Sequence, residues 1–198
     1  MFCSIGAVTA GQTAPEFRAS DVNGKAVSAD VDPSTSLVTL LREELGLTGT
    51  HVGCEHGICG ACSVMLDGEP VRSCLMFAFQ AHGHRVTTVE GLARDGKLHP
   101  VQQAFVENDA FQCGYCTPGQ IMVAYALLQR NPEPSQEEIR YALKDTLCRC
   151  AGYPSIESAI HAAARSIKTG EPVAAPFIEE SQVDLQVIGK PVIRPDAR

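Results

Sequence analysis

Eight of the nine cysteines fall into two groups, Cys54, Cys59, Cys62 and Cys74, then Cys113, Cys116, Cys148 and Cys150. In the first, Gly53-Cys54-Glu55-His56-Gly57-Ile58-Cys59-Gly60-Ala61-Cys62 has the spacing C-x4-C-x2-C, and the fourth cysteine follows a hairpin signal. That is the plant-type pattern for a [2Fe–2S] cluster, in which one short loop wraps three thiolates round the cluster and a returning strand brings the fourth. Glycines let such a loop turn sharply and aim its amides at sulfur. Four cysteines could instead hold zinc, although zinc commonly takes paired C-x2-C knuckles. Cys54-Glu55-His56 offers half of a Rieske site, but Cys62 stands where the second half needs a histidine, so His56 reads as a loop residue.

The second group runs C-x2-C, 31 residues, C-x-C. Both pairs precede helix starts, Thr117-Pro118 and Tyr153-Pro154. Helix N-termini carry unpaired amides and a positive dipole end, which suit an anionic cluster. Taken alone, this group allows an iron–sulfur cluster, zinc or local disulfides; Cys148-Arg149-Cys150 is too close for an easy disulfide. Cys3 has no partner group.

The chain has 198 residues, 44% of them hydrophobic, and a net charge of −7. That is enough for a core in one unit or two small domains. It offers no basic patch for nucleic acid, no apolar run of transmembrane length and no secretory signal. Unpaired cysteine usage of this kind points to a reducing, cytoplasmic setting rather than a secreted disulfide scaffold.

The elements that must position the cysteines follow from periodicity. Asn23-Gly24 and Asp67-Gly68 signal two hairpins. Val27, Ala29 and Val31 alternate as a strand. Leu37, Val38, Leu40, Leu41 and Leu45 predict a helix that ends at Gly46. Ser63–Leu66, Pro70–Cys74 and Arg85–Val89 read as strands, giving a small sheet wrapped round one helix. Beyond a linker the period becomes helical. Val101–Glu107 is a short helix, and Pro118 opens another with Ile121, Ala124, Tyr125 and Leu128 inward. Ser135 and Glu138 form a capping box before Ile139, Ala142, Leu143 and Leu147. Ser155–Ile167 carries Ile156, Ala159, Ile160, Ala163 and Ile167. Four short helices suggest a compact bundle. The proline-rich end has no helical stripe.

GCEHGICGACSVMLDGEPVRSC, QCGYCTPGQ and LCRCAGYPSI resemble the cluster segments of the small two-cluster subunits of the xanthine oxidase type of molybdenum hydroxylase. The resemblance covers roughly 17–167. It implies an α+β chain, an N-terminal β-grasp plant-type ferredoxin domain followed by a four-helix-bundle [2Fe–2S] domain. The divisions expected are a tail at 1–16, the ferredoxin-like domain at 17–90, a linker at 91–98, the helical domain at 99–168 and an extended tail at 169–198. It implies two [2Fe–2S] clusters, with Cys54, Cys59, Cys62 and Cys74 on the flavin side and Cys113, Cys116, Cys148 and Cys150 on the molybdenum side. Gln112 and Cys150 would contact the pterin. A large molybdopterin-binding subunit would perform the hydroxylation, and a medium subunit would bind FAD, or another carrier would accept the electrons. Val187-Ile188-Gly189-Lys190-Pro191-Val192 resembles the opening of the molybdenum subunit, so the tail could dock there or record a gene fusion or split. This chain would relay electrons and own no substrate pocket. The competing readings are a freestanding two-cluster carrier and a zinc-stabilised interaction module.

Overall fold

The computed structural model describes the backbone of residues 16–173 and the side chains of 20–173. Cys3 and the expected tail beyond 173 lie outside the described residues. Both hairpin signals form as predicted. Asn23 and Gly24 take φ of 56° and 80° between β1 (Glu16–Val22) and β2 (Lys25–Asp30). Asp67 and Gly68, at 50° and 89°, join β3 (Ser63–Leu66) to β4 (Glu69–Arg72). Positive φ at both central positions matches the twist of the paired strands. β5 (Arg85–Thr87) runs parallel to β1 and antiparallel to β3, giving the sheet order β2-β1-β5-β3-β4.

The Leu37–Leu45 stripe folds differently from a plain α-helix. α1 (Leu37–Thr39) is capped by Ser36, whose hydroxyl accepts the Thr39 amide at 3.2 Å. The chain then widens into a π-type turn over Leu40–Glu44, with Leu45 N–H donating to Leu40 O. The widening keeps Leu37, Leu40 and Leu41 all buried against Val64 and Val86 of the sheet. The fourth strand is shorter than expected: after Arg72 the chain tightens into a 3-10 turn, Ser73–Leu75, that carries Cys74. Likewise β5 ends at Thr87 and gives way to a 3-10 turn at Val89–Leu92.

The helical part comprises α2 (Pro100–Glu107), α3 (Thr117–Arg130), α4 (Gln136–Leu143) and α5 (Tyr153–Thr169). Ser135 and Glu138 make the predicted capping box. Two residues expected inward are not. Leu147 is 56% exposed because α4 stops at Leu143, and Ile167 is 40% exposed in the last turn of α5. None of the described helices is long and apolar enough to cross a membrane.

One strand serves both halves. Val64 of β3 packs in the sheet's core with Leu37 and Leu40, while its neighbour Met65 points the other way into the helical core. Alternation along a strand sends successive side chains to opposite faces, so β3 has two dry faces.

Candidate metal centres

The first four cysteines lie on the 54–62 loop and on the 3-10 turn after β4. Their thiols interact in pairs: Cys54 with Cys59, and Cys62 with Cys74. Amides point at sulfur, as the loop's glycines anticipate. Cys59 N–H donates to Cys54 Sγ at 3.4 Å, and the His56 and Ile58 amides help. These donors pull the Cys54 thiol down to about 6. Burial, reinforced by Cys62, pushes Cys74 up to about 11. Glu55 adopts a left-handed φ of 58° in this loop. His56 is exposed, as befits a loop residue.

The second four gather where α3 and α5 begin. Cys116 is the N-cap of α3, and Cys148 and Cys150 precede the start of α5. Cys116 interacts with Cys148, and Cys113 with Cys150. Burial and then the Cys148 thiol push Cys116 up to about 12, whereas the Tyr115 amide lowers Cys113. Gly152 N–H donates to Cys148 Sγ at 3.4 Å, and Cys148 N–H donates to the Tyr153 hydroxyl at 2.8 Å. Gln112 is exposed beside them, its amide 3.4 Å from Cys150 O.

All eight of these cysteines are unbridged. Among the described residues no three Cys, His, Asp or Glu side chains converge on a single-ion site. Within each quartet the thiols also feel one another beyond those pairs, Cys59 with Cys62, Cys74 with Cys54, and Cys116 with Cys113. Several thiols this close cannot all ionise unless cations compensate them.

The two quartets are joined directly. Leu147 N–H, one residue before Cys148, donates to Cys59 O at 2.8 Å. Tyr115, between Cys113 and Cys116, donates its hydroxyl to Val52 O at 2.5 Å, and His51 Nδ1–H donates to Tyr115 O at 2.8 Å. Arg72 reaches Ser63 Oγ and Asp145 O, both at 2.7 Å. The backbones meet at glycines: a Cβ on Gly119 would strike Gly60 O, and one on Gly60 would lie 2.5 Å from Asp145 O. Tyr115, Tyr153 and Gln120 contribute to this seam without standing out as ligands. Their signal in the sequence was slight: a tyrosine inside each cysteine segment, and one polar residue in the apolar run of α3.

Comparison with known proteins identifies the chain's family. A 2Fe-2S iron-sulfur cluster binding domain matches residues 20–88, and a [2Fe-2S] binding domain matches 88–161. The chain is 55% identical over 142 residues to caffeine dehydrogenase subunit gamma of Pseudomonas sp. (strain CBB1), covering 70% of this chain and 85% of that one. It is 49% identical over 140 residues to the nicotinate dehydrogenase small FeS subunit of Eubacterium barkeri, covering 71% and 89%. Among solved structures, quinoline 2-oxidoreductase from Pseudomonas putida 86 matches with a TM-score of 0.75 and 43% identity, over 80% of this chain and 99% of that one. The chain belongs to the family of small iron–sulfur subunits of molybdenum hydroxylases, with two [2Fe–2S]-binding domains.

Proposed function

We propose that the chain is the electron-transfer subunit of a molybdenum hydroxylase, relaying electrons from a molybdopterin centre through two [2Fe–2S] clusters to FAD or another acceptor. The Leu147–Cys59 hydrogen bond carries this reading, because it links the two cysteine groups through a short stretch of backbone. Cys54, Cys59, Cys62 and Cys74 would hold one cluster, and Cys113, Cys116, Cys148 and Cys150 the other. The C-x4-C-x2-C spacing and the two matching [2Fe–2S] domains favour two iron ions sharing four thiolates over zinc, which commonly takes paired C-x2-C knuckles. When bound, each cluster supplies a site that accepts and releases an electron.

The chain's own residues do the rest. Amides of Cys59, His56 and Ile58 around Cys54, and of Gly152 at Cys148, stabilise negative charge on sulfur and set potential. The N-terminal turns of α3 and α5 add their dipoles to the second group. The domain division at 17–90 and 99–168, a β-grasp ferredoxin unit and a four-helix bundle, belongs to the same reading.

Each quartet opens at the surface beside apolar residues. Ile58 and Leu75 stand exposed near the first, Phe111 near the second, and Tyr115 and Leu147 where the two groups meet. Exposed apolar side chains at a redox site suit burial by a partner. The first face would meet a medium FAD-binding subunit or other acceptor. The second would meet the large molybdopterin-binding subunit, with Gln112 and Cys150 against the pterin, in a cytoplasmic complex. Gln112 both donates and accepts hydrogen bonds and, among the described residues, is spent on one long contact.

In the complex copurified with its large subunit, Gln112→Ala should slow reduction of the clusters by substrate and leave reduction by dithionite unchanged. Glu137→Lys, on the exposed side of α4, should alter neither. Rapid-scan absorbance separates the two, and equal behaviour of the two variants would refute the molybdenum-side placement.

A further inference from the structure

We infer that Gln120 is a positioning residue that holds the contact between the two cysteine loops and so governs how strongly the clusters communicate. The inference rests on the electron-relay reading above. Gln120 is fully buried at 0% exposure, one turn into α3, with its amide bonded to Cys116 O at 3.0 Å. Its side-chain NH2 donates to Thr146 O at 2.9 Å. Its Oε1 has no hydrogen-bond partner among the described residues. A half-paired buried carboxamide is a poor way to fill space, since an apolar side chain of similar volume would leave no polar atom unpaired. What the remaining bond holds therefore matters.

It holds the segment between α4 and the second cysteine pair. Residues 144–150 form neither helix nor strand, so individual bonds must fix them. Thr146 N–H donates to Leu143 O at 2.9 Å, and Thr146 O accepts from Gln120 and, at 3.4 Å, from the Tyr153 hydroxyl. The next amide, Leu147 N–H, reaches Cys59 O, and the one after, Cys148 N–H, reaches Tyr153. Gln120 thus ties the helix that starts at Cys116 to the residue that aims Leu147 at the other loop. Without its NH2, Thr146 O keeps only the long tyrosine contact. The Thr146 hydroxyl is also buried and unpartnered, and it lies against Gly60.

The test uses the full chain with both clusters assembled. Gln120→Met keeps length and removes hydrogen bonding; Glu137→Lys, on the exposed side of α4, is the control. Three readouts apply: the magnetic splitting between the two reduced clusters by EPR, the rate of electron exchange between them after pulse radiolysis, and hydrogen exchange at the Leu147 amide. Gln120→Met should retain two clusters and thermal stability close to the parent's, while the exchange rate falls severalfold, the splitting shrinks and the Leu147 amide exchanges faster. Glu137→Lys should change none of the three. If Gln120→Met does not assemble, Gln120→Asn, which keeps both polar atoms but draws them back by one methylene, carries the same test. Assembled clusters with unchanged splitting and exchange rate in the glutamine variant would overturn the inference. Absence of two [2Fe–2S] signals in the unaltered chain would instead overturn the electron-relay reading.

Discussion

Cys59 faces both ways. Its sulfur pairs with Cys54, and its carbonyl takes the Leu147 amide. Substituting the sulfur leaves the carbonyl in place, so Cys59→Ser should abolish one cluster while the contact to the other group survives. Cys148→Ser should do the reverse. Low-temperature EPR of the reduced protein should show two signals lost one at a time, and loss of both in either folded variant would contradict separate sites. The ligand candidates were legible in the sequence because a cysteine in C-x4-C-x2-C has few other uses. The residues that join the sites were not legible. Gln120 looks like one polar interruption of a helix, and its partner Thr146 is 26 positions away. Only the fold brings them together.

At the level of elements, short-range chemistry predicted best. The Asn23-Gly24 and Asp67-Gly68 turns and the Ser135 capping box need only neighbouring residues, and all three form as read. Stripes misled where distant bonds intervene. The pattern through Leu147 suggests that α4 continues, but the carbonyl of Thr146 is taken by Gln120 and the amide of Leu147 by Cys59, so the helix cannot keep them. The π-type turn after α1 was likewise hidden, because an apolar stripe does not distinguish a helix from a widened one. The capping box gives a measurable expectation. Ser135→Ala should cost about 1 kcal/mol in urea unfolding. The Ser135 amide and hydroxyl hold the Glu138 carboxyl below its ordinary range. A depressed carboxyl contributes stability above its unfolded-state value and loses it as pH falls through the folded one. The penalty of Ser135→Ala should therefore be largest near neutrality and shrink on acidification below the ordinary glutamate range. A penalty that grows with acid would show that Glu138 is not the partner.

Across the whole molecule, the two cysteine groups share a support. β3 sends Val64 into one core and Met65 into the other, and the Gly60–Gly119 approach leaves no room between the halves for a side chain. Two domains with a common wall should lose their clusters together on heating. The purified chain should contain about four iron atoms and about four acid-labile sulfides, two of each per cluster. On heating, both EPR signals should fade over the same temperature range. Met65→Ala should lower that range for both, because truncating a buried methionine costs roughly 2–5 kcal/mol. Substantial zinc with little sulfide, or well-separated melting of the two signals, would count against this picture.

The same shared strand changes what the covalent link between the halves is for. The connection passes through an exposed tight turn at Asp95 and Gly96, closed by paired bonds between Arg94 and Lys97. Among the described residues, contacts that join sheet to helices lie away from that turn: Met65 packs in the helical core, Arg72 reaches Asp145, and Leu147 reaches Cys59. A protease nick there would divide the polypeptide and leave the particle whole. In such a nicked chain the seam, not the peptide, would keep the two halves together.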